Sequence, residues 1–171
     1  EREWSPIMTF RFIHTADWQL AKPFANMPPA LAGELGAARL GVIARVASIA
    51  RTDGAAHVLV AGDVFDGEQI ESATIRRALE QLRQEAGITW VLLPGNHDPA
   101  RAGGLWERIA RIGVPANVVV LTEDKPLALS PGAVVLPAPL TSKNPGRDPT
   151  EWMDHAETPA GVLRIGLAHG S

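Results

Sequence analysis

Short apolar runs of strand length recur along this chain, and four of them stop at residues able to hold a metal ion. The runs are Phe10 to His14, "HVLVAG" from His57, "ITWVLLPG" from Ile88, "NVVVL" from Asn117, "AVVLPA" from Ala133 and "VLRIGLAHG" from Val162. Between the early runs the apolar residues take a helical period instead: Leu40, Ile43, Ala47 and Ala50 in "ARLGVIARVASIAR", then Ile75, Leu79, Leu82 and Ala86 in "SATIRRALEQLRQEAG". Ser72 is placed to cap the second helix and Gly87 to end it. Near-continuous apolar strands alternating with helices predict an α/β sheet covered by helices. After Asn117 the runs follow one another without helices, which predicts a second sheet or a decorated edge. "TSKNPGRDPTEWMDHAETPAG" reads as a long loop, of the kind that is usually functional or mobile.

The strand ends read as one site. "TADWQ" follows the first run, "AGDVFD" the second, "LPGNHD" the third and "LAHGS" the last. Side chains at the carboxyl ends of neighbouring strands converge on a common crevice, so Asp17, Gln19, Asp63, Asn96, His97 and His169 are expected to meet. Asp63 follows Gly62, which permits a tight turn, and its two oxygens suit it to bridge two cations. Asn96 adds an amide oxygen and His169 an imidazole, a set that favours Mn²⁺, Fe²⁺ or Zn²⁺ over Ca²⁺. His97, beside a ligand, is left for the substrate.

Composition narrows the chemistry further. At 171 residues and 46% hydrophobic the chain suits a single packed domain and is neither disordered nor fibrous. Its formal charge of −3 is scattered, without a Lys/Arg run, so any contact with nucleic acid must be local or metal-assisted. Cysteine is absent, which removes disulfides and thiolate ligands and fits a cytoplasmic location. No stretch reaches the ~18 apolar residues of a membrane span. Met8 reads as a start, making residues 1–8 a leader or appended sequence ahead of a domain over 9–171.

Asp17-x-Gln19, "GDVFD", "GNHD" and the later "AHG" together resemble the calcineurin-like metallophosphoesterases, and "HTADWQL" with "GDVFD" is most similar to their SbcD-type DNA-repair nuclease branch. The resemblance runs from about Phe10 to the end. It implies a two-sheet sandwich flanked by helices in four layers, and two divalent ions, Mn²⁺ foremost with Fe²⁺, Zn²⁺ or Mg²⁺ as alternatives. Asp17 and Gln19 would serve one ion, Asn96 and His169 the other, and Asp63 both. His97 would be the catalytic histidine, oriented by Asp98, acting on the transition state or the leaving oxygen. The implied activity is phosphodiester hydrolysis on DNA ends or single strands, with a coiled-coil ATPase of the SbcC kind as partner and a homodimer as a further expectation. A small-nucleotide phosphodiesterase or pyrophosphatase uses the same centre, and a silent scaffold subunit is the third reading.

Two departures stand out. Gln19 occupies a position where most of the family has histidine, and its harder oxygen favours Mn²⁺. The family also completes its site with a Gly-His-x-His turn one strand further on, so the domain is expected to be incomplete at Ser171 and weakly active as it stands. Lys22 and Arg101 follow two of the motifs, where a cation can hold phosphate, although such residues are commonly plain surface charges. His14 reads as packed or supporting, His57 and His155 as solvated, Trp18 as packing rather than base-stacking, and Asp66 as capping a turn or orienting a neighbour.

Overall fold

The computed structural model describes residues 9–170. The expected leader over residues 1–8 lies outside the described residues. Four strands, β1 (Phe12–Thr15), β2 (His57–Ala61), β3 (Thr89–Leu93) and β4 (Val118–Val120), form an all-parallel sheet in sequence order. Registers such as Phe12 with His57 and His57 with Thr89 bring the carboxyl ends of the first three strands level. The connections run through α1 (Pro29–Leu40), α2 (Val42–Thr52), α3 (Ser72–Gln84) and α4 (Leu105–Ile112).

Alternation along the strands sorts the core into two layers, as a period of two requires. Val58, Val60, Trp90, Leu92 and Val118 pack with Ile43, Val46, Ala47 and Ala50 of α2, with Ile75, Ala78, Leu79 and Leu82 of α3, and with Leu105, Trp106 and Ile109 of α4. The intervening Leu59, Ala61, Val91 and Leu93 turn the other way and meet Val135 and Leu167 of a second sheet. Each buried Leu, Ile or Val contributes roughly 1.5–3 kcal/mol, which is why both faces of β2 and β3 read as unbroken apolar sequence.

The second sheet is β5 (Leu127–Ser130), β6 (Ala133–Ala138) and β7 (Leu163–Ala168), with β5 antiparallel and β7 parallel to β6. Its outer face carries a 3₁₀ turn over Glu151–His155, where Trp152 Nε1 donates to the Pro137 carbonyl at 3.1 Å. Arg164 donates to the Met153 carbonyl at 2.6 Å, fastening the turn across β7. Of the four layers expected, the outermost is represented among the described residues by this turn alone.

Several local expectations need correcting. The single helical pattern ending at Arg51 is two helices: Leu40 closes α1, and Val42 opens α2 after Gly41. Ser72 is the first residue of α3 rather than its cap, because Glu71 holds the extended N-cap position, and the helix stops at Gln84 so that Ala86 lies exposed beyond it. The strand β5 and the short helix α4 were not expected. Trp18 is buried edge-on against Trp90, as its packing role requires. His57 is half-buried beside the Phe10 ring rather than solvated, and burial lowers its pKa despite a backbone hydrogen bond to Leu129. His14 is exposed on β1 rather than packed, whereas the exposure of His155 agrees with expectation.

Candidate metal centre

The strand order of the parallel sheet has no reversal, so the site is built where the two sheets meet. Immediately after β1, Asp17 adopts φ 55°, and immediately after β2, Gly62 and Asp63 adopt φ 84° and 52°. Left-handed backbone is uncommon for residues other than glycine and clusters at functional sites. The two turns are tied together: Asp17 N–H donates to the Gly62 carbonyl at 3.2 Å and Gln19 N–H to the Asp63 carbonyl at 2.8 Å. Asp17, Asp63 and His169 thereby present ligand atoms within 4.8 Å of one another, the residues coming from three separate strand ends.

Two glycines make the room. A Cβ on Gly62 would overlap the His169 ring, and one on Gly95 would overlap the Asp63 carboxylate and backbone nitrogen. His169, just beyond β7, bonds through Nδ1 to the Ala61 carbonyl at 2.8 Å. A carbonyl only accepts, so Nδ1 carries the proton, which leaves Nε2 as the ring atom available to a metal. Nε2 lies 2.8 Å from Asn96 Oδ1 and 3.5 Å from Asp63 Oδ1. Asp63 is only 2% exposed, and its Oδ1 also accepts the His97 N–H at 2.9 Å. A buried carboxylate surrounded by further lone pairs calls for a cation. Asp17, Asp63, Asn96 and His169 therefore fit a divalent ion with oxygen and imidazole preferences.

Gln19 stands apart from this group in its contacts: its Oε1 accepts Lys22 Nζ at 2.6 Å. Lys22 is also 3.7 Å from Asp66 Oδ1, so it is no free surface charge. Arg101 is ion-paired with Glu68. It shares a cleft of about 470 Å³ with Asn96, His97 and Lys143, the last a cation from the long loop that sequence reading passed over.

The expected pairing of His97 with Asp98 is not what the structure contains. His97 Nδ1 lies 3.5 Å from Asp66 Oδ1, with Nε2 4.0 Å from Asp63 Oδ2. Asp98 is 0% exposed and turns inward, its Oδ2 accepting the Phe65 N–H at 2.9 Å and its Oδ1 the Gly95 N–H at 2.7 Å. Adjacent residues at a tight turn point in different directions, so sequence neighbours need not face each other. Burial pushes the Asp98 carboxyl up to about 7, the two N–H donors opposing the shift and the Asp63 charge adding to it. The side chain clamps the loop after β2 to the loop after β3. We expect Asp98→Ala to lower stability by roughly 2–4 kcal/mol, because it strands two buried N–H groups. Urea unfolding measures this, and a loss below ~1 kcal/mol would show that the loops hold without the clamp.

The signal for Asp66 was the second carboxylate of "GDVFD", three residues after Asp63, which sequence reading assigned only to capping or orienting some neighbour. For Gly95 it was the glycine of "GNHD".

No curated protein matches the chain. A site that gathers carboxylates, an amide and an imidazole from successive strand ends is, however, accompanied by a match to the family model for calcineurin-like phosphoesterases over residues 10–171, and the chain belongs to that family of metal-dependent phosphoester hydrolases.

Proposed function

We propose that the protein is a Mn²⁺-dependent phosphodiesterase acting on DNA ends or single strands. The observation that carries the hydrolytic reading is the convergence of Asp17, Asp63 and His169 beneath His97. Asp17, Asp63, Asn96 and His169 would hold a divalent ion, Asp17 lying with this group and not with Gln19 alone as expected from sequence, and Gln19 would offer an oxygen to a second ion beside Asp63. Such ions supply Lewis acidity toward phosphoryl oxygens and make water more acidic. His97, steadied by Asp66, neutralises charge gathering on the phosphoryl group or protonates the leaving oxygen. The nucleic-acid assignment is supported by "HTADWQL" and "GDVFD", and by the open cleft with Arg101 and Lys143 beside His97. A coiled-coil ATPase belongs to the same reading.

His97→Asn is expected to keep the metal and lower kcat about 10²-fold, the loss typical of a missing acid–base group. Calorimetry with Mn²⁺ and hydrolysis of bis-p-nitrophenyl phosphate check the two halves. Joint loss of metal and activity would make His97 a ligand instead. The substrate class is tested with a single-stranded oligonucleotide: Mn²⁺-dependent cleavage supports the DNA assignment. Turnover of bis-p-nitrophenyl phosphate and small nucleotide esters without DNA cleavage would move the assignment to the small-nucleotide phosphodiesterases.

A further inference from the structure

We propose that Lys22 is a built-in counter-cation on Gln19, so that the site takes one divalent ion tightly and a second, on the Gln19 side, only weakly. The inference rests on the metal-binding reading above and assigns this chain's departure from histidine a physical consequence.

The segment that carries Gln19 is shaped to fold Lys22 back over it. Gln19 has φ 45° and Ala21 φ 66°, two left-handed residues without glycine's freedom, within four positions. Leu20 between them is 1% exposed and pinned on both sides, its N–H donating to the Val64 carbonyl at 2.9 Å and its carbonyl accepting the Asp66 N–H at 3.0 Å. Lys22 N–H closes the turn on the Gln19 carbonyl at 3.1 Å. With the backbone fixed in this way, the lysine side chain returns to the glutamine and places Nζ 2.6 Å from Oε1. The same ammonium lies 3.7 Å from Asp66 Oδ1, the carboxylate that stands 3.5 Å from His97 Nδ1. A unit positive charge is thus seated between the first-strand amide and the carboxylate that positions His97.

Residue type matters here. An amide oxygen has two lone pairs and accepts an ammonium readily, whereas the single free lone pair of a neutral imidazole cannot serve a metal and a lysine together. A divalent ion drawn to Gln19 Oε1 meets like charge already on that atom, a repulsion that solvent moderates at the 40% exposed lysine but does not remove at 2.6 Å. Asp17, Asp63 and His169 can hold an ion without using Gln19 Oε1, the atom that Lys22 occupies, so an ion on those three avoids that contact. The two ions therefore bind unequally.

The test is calorimetric titration of Mn²⁺ into the metal-stripped chain, its Lys22→Met variant, and the Lys22→Met/Gln19→Ala pair, with thermal melts confirming that each is folded. Lys22 is 40% exposed at its side chain, so Met should be accommodated. The parent should show a tight event and a weaker one. Lys22→Met should tighten the weaker event about tenfold or more while leaving the tight one unchanged, as expected on removing a neighbouring like charge. Adding Gln19→Ala should cancel that gain. A weaker event that is unchanged or further weakened in Lys22→Met would overturn the proposal while leaving metal binding intact. The absence of any Mn²⁺ event in parent and variant alike would overturn the metal-binding reading, and the proposal with it.

Discussion

Asp63→Asn should bind Mn²⁺ at least 10²-fold more weakly and hydrolyse bis-p-nitrophenyl phosphate at background rate, because the site loses its one buried negative charge while its shape survives. Asparagine keeps a carbonyl oxygen that can accept the His97 N–H, the 2.9 Å bond that holds the turn after β3 against the turn after β2. Folding should therefore be nearly unaffected, and the defect should appear as lost charge. Asp17, exposed at the rim, should give the smaller loss when changed in the same way. Calorimetry paired with a urea melt separates the effects. Wild-type metal affinity in Asp63→Asn would show that Asp63 is not a ligand, and collapse of the fold would show that its carboxylate is chiefly structural.

Gly95→Ala should be nearly as severe by a different route. The added methyl would overlap the Asp63 carboxylate and the Asp63 backbone nitrogen, and a backbone atom cannot step aside as a flexible side chain can. The Gly95 N–H is also held to Asp98 at 2.7 Å, so the loop cannot retreat without breaking the clamp. We expect a stability loss of about 1–3 kcal/mol, typical of overpacking, together with loss of Mn²⁺ binding. Gly36→Ala is the control, since a Cβ there meets nothing within 4 Å and alanine favours the surrounding helix α1. Equal metal affinity in Gly95→Ala and Gly36→Ala would mean that Asp63 has more freedom than its contacts indicate.

The sequence was most legible where burial or chemistry constrained several residues at once. β2 and β3 are covered on both faces, so "VLVA" and "WVLL" show unbroken apolar character, and α3 shows a clean stripe at Ile75, Ala78, Leu79 and Leu82. Elements with weaker constraints were hidden. No residue of α1 is buried, so there was no stripe to find. α4 escaped notice through its length, since only eight residues are helical, although Leu105, Trp106, Ile109 and Ile112 keep a helical spacing. Within the site, strand ends identified candidate groups but not their directions. Asp98 reads as the natural partner of His97 by adjacency, yet the turn sends it into the core and brings Asp66 to the histidine from the neighbouring loop. Likewise, nothing in "DWQLAK" announces that the lysine returns to the glutamine, since that depends on left-handed backbone at Gln19 and Ala21.

The hydrogen bond from His169 to Ala61 spans 108 residues of sequence and carries the imidazole of the Asp17, Asp63 and His169 group across from the second sheet. Contacts so distant along the chain carry a larger loop-closure cost than local ones and slow folding when they dominate it. A chain in which the parallel sheet alone has formed holds Asp17, Asp63 and Asn96 but lacks the imidazole, and its carboxylates are open to water. The set of candidate ligands is thus completed only when β7 docks beside β6, which makes assembly of the site a late, long-range event in folding rather than a property of the parallel sheet.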